Sequence, residues 1–355
     1  MPLHNPTFTL SITRQASSRI IKCHKFPLHY LFYTTRLHPD NVETIQPIQW
    51  CQTYQPAFNT IISADKEAAL TLANSTNHSL PIRIYSDGSG YKGGIGAAAM
   101  LYQGNRVIDT LHYYLGPDTE HTVYEGKVIS TTLGFYMFYK LNCQLTETVL
   151  IGLDNQVELK ALNNQCLKPG HYLLDKVHDA AEELHAKQDK LFNARLLCET
   201  WAWEETWKSS TCDVIDIRLQ WVPGHMDLAP NKKADKEAKH AAQGLSSPSR
   251  ELLKYLWKQL PVSVPALRQQ LNAKLQRHWA CQWKASPCYQ HLHLIDNSAL
   301  SKKFLTLTKT LSHRQSSIMM QLCTSCIGLN QWLFHIKQLE SPSCLHCLGI
   351  TVETV

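Results

Sequence analysis

The chain has 355 residues, 44% hydrophobic and 18% charged, with 35 Lys and Arg against 29 Asp and Glu and a formal net charge of +6. That length is ample for a packed core and predicts about two domains, while no apolar run approaches the roughly 18–20 residues that span a bilayer. Met1-Pro2-Leu3-His4-Asn5 lacks the basic-then-apolar layout of a secretory signal, so the expectation is an intracellular protein, nuclear or cytoplasmic, whose 12 cysteines are reduced thiols or metal ligands.

Residues 1–79 carry scattered prolines, histidines and aromatics without a sustained period and read as a linker or the remnant of something larger. Within them, Ser63 to Leu70 predicts a short capped helix. From Pro81 the pattern changes. Ile82, Ile84 and Ser86 alternate with Arg83, Tyr85 and Asp87, the period of a strand, and Gly88-Ser89-Gly90 follows. Strands are predicted over 82–87, 94–102 and 106–115, the last broken by Leu115-Gly116-Pro117-Asp118. A helix comes next over 119–141, with Ile129, Leu133, Tyr136 and Met137 on its inner face.

The run from Thr148 to Leu153 has the apolar character of a central strand and ends at Asp154, and a helix over 156–163 follows at once. A long helical pattern covers 172–208, and a fifth strand covers 214–222. Pro223-Gly224-His225 then makes a loop, a lysine-rich helix over 231–242 holds Asp235, and Gly244 to Ser249 reads as a linker. This order describes an α/β domain over 80–245, a five-stranded mixed sheet flanked by helices.

Asp87, Asp154 and Asp235 thus fall on a central strand, at the end of its neighbour and on a late helix. Clustered carboxylates repel one another, so folds keep them mainly where divalent cations neutralise them. Oxygen ligands suit Mg²⁺ or Mn²⁺ better than Zn²⁺, and two such ions about 3.5–4 Å apart support phosphodiester hydrolysis.

Five stretches carry a resemblance: Ile84-Tyr85-Ser86-Asp87-Gly88-Ser89-Gly90, His121-Thr122-Val123-Tyr124-Glu125-Gly126, Leu153-Asp154-Asn155-Gln156, Trp221-Val222-Pro223-Gly224-His225 and Lys233-Ala234-Asp235-Lys236-Glu237-Ala238-Lys239. In that order they resemble the type 1 ribonuclease H domain at the C-terminal end of LINE-type (non-LTR) retrotransposon polyproteins, over residues 60–245. The resemblance implies a ribonuclease H-like fold and metal-dependent cleavage of the RNA strand of RNA–DNA hybrids, an activity associated with reverse transcription. It implies that Asp87 bridges two Mg²⁺ (or Mn²⁺) ions, that Asp154 and Asp235 hold one each, and that His225 assists proton transfer or product release. It also implies nucleic acid as a partner, held by its phosphate backbone, and a full-length retrotransposon polyprotein of which this chain is a fragment.

The family places a fourth acid at the start of the first helix, in the pattern Glu-Leu-x-Ala-x-x-x-Ala-Leu. Ser130 and Gly134 occupy its two small positions, and counting back three from Ser130 gives Lys127. Glu125, the other candidate for the catalytic acid, lies two residues earlier, about 200° around a helix. Two functions follow. With Glu125 as ligand the chain is a hybrid ribonuclease; with Lys127 in that place it is a nucleic-acid-binding module that does not cut.

The remaining region, 250–355, is predicted to be basic and helical. Residues 250–340 hold 12 basic side chains and 3 acidic ones, which suits a polyanion, and amphipathic helices are expected over 252–260 and 266–283. Cys323-x-x-Cys326 and Cys344-x-x-Cys347 have a four-cysteine zinc spacing. The resemblance instead assigns Zn²⁺ to Cys344 and Cys347 with a His and a Cys beyond Val355.

Overall fold

The computed structural model describes residues 38–44, 54–145, 148–164, 166, 168–199, 215–224, 226, 228–287, 289–293, 303–324 and 326–343. Contacts divide the chain into two units, Met1–Arg268 and Gln269–Val355. The first unit carries the sheet. Its strands are β1 (Asn59–Ile61), β2 (Ile82–Tyr91), β3 (Gly94–Gln103), β4 (Arg106–Pro117), β5 (Val149–Leu153) and β6 (Ile217–Trp221). Its helices are α1 (Lys66–Ser79), α2 (Val123–Lys140), α3 (Gln156–Asn163), α4 (His171–Glu199) and α5 (Ala229–Ala242).

The strand order is β1-β6-β5-β2-β3-β4. Strands β2, β3 and β4 run antiparallel, while β2–β5, β5–β6 and β6–β1 are parallel, so the sheet is mixed. Alternation along each strand gives it two apolar faces. Ile84 and Leu101 join the large core with α2 and α4, while Tyr85, Met100 and Tyr102 join a smaller one with Ala73 of α1 and Ala234 of α5.

The structure has six strands where the sequence predicts five. The sixth, β1, lies in the stretch read as a linker; three residues beginning Asn-Thr are too short to display a strand period. It pairs with β6 from Asn59↔Arg218 to Ile61↔Gln220, next to Phe58, whose ring lies 5.2 Å from His178 and 5.7 Å from Phe135.

Residues 252–260 do not form the expected helix. The four-residue spacing of Leu252, Leu256 and Leu260 imitates one, but the chain makes two 3-10 turns, Ser249–Glu251 and Lys254–Trp257, that place all three leucines in the large core. The preceding linker is also structured. Tyr114 N donates to Ser246 Oγ (2.8 Å) and His112 N to Ser247 Oγ (3.0 Å), which satisfies open donors of the edge strand β4.

Helix α6 spans Val264–Ala285, and the shorter helices Tyr289–Leu292, Lys303–Thr308, His313–Cys323 and Asn330–His335 follow. Among the described residues no helix is long and apolar enough to cross a membrane.

Candidate functional site

The parallel register Ser86↔Leu153 sets the end of β5 beside the middle of β2, so the next residues, Asp87 and Asp154, are neighbours. Trp221 Nε1 donates to the Asp154 carbonyl (3.2 Å) and fixes the end of β5 against β6. Helix α2 meets β2 at Gly88. A Cβ there would lie 2.1 Å from Lys127 N and 2.2 Å from the Gly126 carbonyl carbon, so only glycine permits this approach. The contact carries the second turn of α2 onto the two aspartates.

Lys127 fills the space between them. Its Nζ donates to Asp87 Oδ1 at 2.7 Å and also to Asp154 Oδ1. The Asp87 side chain is 7% exposed, that of Lys127 18% and that of Asp154 25%, so the group is shielded on the sheet side and partly open to solvent. Burial, then the charge of Asp154, pushes the Asp87 carboxyl up to about 6, against the pull of Lys127 and of Gly88 N–H. Burial works against the Lys127 ammonium, but the charges and hydrogen bonds of Asp87 and Asp154 outweigh it and raise its pKa.

Glu125 is engaged elsewhere. Thr122 N and Oγ1 donate to its Oε2 at 2.7 and 2.9 Å while Glu125 N donates to Thr122 Oγ1, a capping box that closes the first turn of α2. Its other oxygen faces buried His121, 3.8 Å from Nδ1. Asp235 sits on α5, where Lys239 Nζ binds it at 2.6 Å, and it does not join Asp87 and Asp154 in a cluster that could hold a metal. Among the described residues, no three His, Cys, Asp or Glu side chains converge as a metal would require. His225, Cys344 and Cys347 lie outside the described residues. Gly224, just before His225, stands next to Asp154, with a Cβ position 3.7 Å from its Oδ2.

One carboxylate near the site is absent from the motifs. Glu158 of α3 is fully buried and accepts from Thr131 Oγ1 at 2.5 Å. Burial pushes it up to about 8, opposed by the Thr131 hydrogen bond and the Lys127 charge and assisted by Asp154 and Asp87. Its place four residues before Leu162, on one stripe of a short helix, is the signal that could have found it.

Hard divalent cations need several oxygen ligands with net negative charge. Here the Oδ1 atoms of Asp87 and Asp154 are already hydrogen-bonded to an ammonium, so these residues do not fit Mg²⁺ or Mn²⁺.

No protein-family model and no curated protein matches the chain. Among solved structures it is similar to RNase H1 from the halophilic archaeon Halobacterium salinarum NRC-1, with 15% identity over 46% of this chain and 98% of that one and a TM-score of 0.31. It is also similar to the N-terminal RNase H domain of a Mycobacterium tuberculosis protein fused to maltose-binding protein (15% identity, 46% and 99% covered, TM-score 0.32). The PFV RNase H domain in solution is a third (15% identity, 46% and 93% covered, TM-score 0.29). At this identity and these TM-scores, function is left to be read from the residues.

Proposed function

We propose that this chain is a ribonuclease H-like, retrotransposon-derived domain that holds nucleic acid, RNA–DNA hybrid included, without cutting it. The observation that carries the reading is the Lys127 bridge between Asp87 and Asp154. Exchanging a carboxylate for an ammonium changes the local charge by two units, and at an effective dielectric near 20 a unit charge about 4 Å away is worth roughly 4 kcal/mol. Such a swap opposes a divalent cation strongly, while the two aspartates remain satisfied. The motif set from Asp87 to Asp235 supports the ancestry, and the basic region 250–340 supports contact with phosphates. Cleavage activity in this family setting would then come from a full-length polyprotein copy.

The other reading, hybrid cleavage with Glu125 as the fourth ligand, requires Glu125 to leave its capping box and Lys127 to leave both aspartates. The two are separated by one set of assays. An RNA–DNA hybrid with added Mg²⁺ is expected to be bound and left intact. Lys127→Glu is expected to gain Mg²⁺ affinity by calorimetry and to begin cutting, and Asp87→Asn in that background to abolish the gain. Efficient cleavage by the unaltered chain, silenced by Glu125→Gln, would sink the proposal.

A further inference from the structure

A groove of about 530 Å³ opens on the outer side of α2 and α4, where the 3-10 turn Lys254–Trp257 passes over them. Its position along α2 separates it from the lysine bridge: Tyr139 is twelve residues from Lys127, about 18 Å of helix. One wall is aromatic and basic together. Trp257 is 53% exposed, and its Nε1–H donates to the Leu252 carbonyl at 3.0 Å, so the polar edge of the indole is tied down. The turn that carries it is anchored by the buried side chains of Leu252 and Leu256. Arg250 and Lys254 are exposed on the same segment.

The opposite wall is made by Tyr136 and Tyr139, whose rings lie nearly parallel (12°) with centroids 6.3 Å apart. Lys187 holds that wall in place, donating to the Leu141 carbonyl at 2.9 Å with its ammonium 4.8 Å from the Tyr139 ring. The charges facing the groove are Lys176, Arg250 and Lys254 against Asp179 and Glu183. Asp179 is already paired with Lys176 at 2.7 Å; Arg250 has only a long, solvent-exposed pair with Glu251 (3.7 Å) that a phosphate can displace, so Arg250 and Lys254 stand at the rim beside the indole.

We infer that this groove is a second nucleic-acid site, one that takes single-stranded DNA or RNA by stacking a base on Trp257 and holding its phosphates with Arg250 and Lys254. Stacking platforms beside cations serve single strands because every base has a π-face and every linkage a charge. A duplex hides its base faces and would not use the indole. The site rests on the reading of the chain as a nucleic-acid-binding domain, and it adds a ligand form that the Asp87 region does not address.

The test is fluorescence anisotropy on the full chain with two probes in parallel, a labelled oligothymidine of about ten nucleotides and an RNA–DNA hybrid of similar length. Trp257→Ala is expected to weaken oligothymidine binding roughly tenfold, as loss of one base stack does, with Trp257→Phe keeping most of it and hybrid binding unchanged. Arg250→Glu, a change at an exposed position that leaves folding intact, is expected to weaken the same probe and lower its salt dependence. Absence of oligothymidine binding by the unaltered chain, or oligothymidine affinity in Trp257→Ala and Arg250→Glu equal to that of the unaltered chain, overturns the inference. Hybrid binding by the unaltered chain decides the earlier reading separately.

Discussion

Lys127 and Glu158 meet confinement in opposite ways, one keeping its charge and the other giving it up. Lys127 stays an ammonium because two carboxylates surround it, whereas Glu158 is held in its neutral form by burial. The folded pKa of Glu158, about 8, lies above its ordinary 4.5, so the folded state binds the extra proton. Its contribution to stability is therefore complete below pH 4.5 and is lost as pH rises through 8. Glu158→Gln keeps the neutral hydrogen-bonding partner for Thr131 at every pH. Its melting temperature relative to the unaltered chain should rise between pH 5 and pH 8, measured by circular dichroism. A difference that stays flat across that range would show that Glu158 is already ionised in the fold.

Close approach of helices to the sheet is set by glycine on both faces. Gly88 admits the backbone of α2, and Gly96 admits α5, whose Ala242 N would lie 2.1 Å from a Cβ at that position. Neither neighbour is a flexible side chain, so the clash cannot be relieved locally. At Gly134 the nearest atoms to an added Cβ are methyl groups of Ile84 and Ile151 at 3.2–3.5 Å. Gly88→Ala should accordingly cost at least 3 kcal/mol by urea denaturation, roughly the upper end for overpacking, and Gly134→Ala about 1 kcal/mol. Equal losses would mean that α2 can shift away from β2. The same helix explains Glu125: the first turn of α2 has free N–H groups, and the capping box engages its carboxylate before any metal site can.

At the scale of the whole chain, positive charge is concentrated after residue 250, but the fold also extends there. Leu252, Leu256 and Leu260 belong to the core of the first unit, so deletion from residue 250 onward would strip that core as well as the charge. Charge reversal isolates the electrostatic part. Lys274, Arg277 and Lys284 are exposed on α6, which has no acidic residue. Replacing all three with Glu should weaken hybrid binding and reduce the slope of log K against log salt, by up to about 0.9 for each phosphate contact removed. The melting temperature should stay the same. An unchanged slope would place the phosphate contacts elsewhere.

The mixed α/β fold was legible in the residues because its signals are local: the alternation through Ile82–Asp87, the apolar run before Asp154 and the apolar face of α2 each follow from the geometry of one element. Counting from Ser130 and Gly134 likewise placed Lys127 on the side of α2 that faces the sheet, since helical phase is set by sequence spacing. Partners distant in sequence were not legible. A three-residue β1 is a strand only because β6 is there to pair with it, and Leu252, Leu256 and Leu260 adopt turns because the core they fill is built by α2 and α4. Glu158 carries no motif, and its neutral state comes from being enclosed beside Thr131. Sequence determined which side chains each element could present; the tertiary structure decided which of them were desolvated together, and charge depends on that shared desolvation.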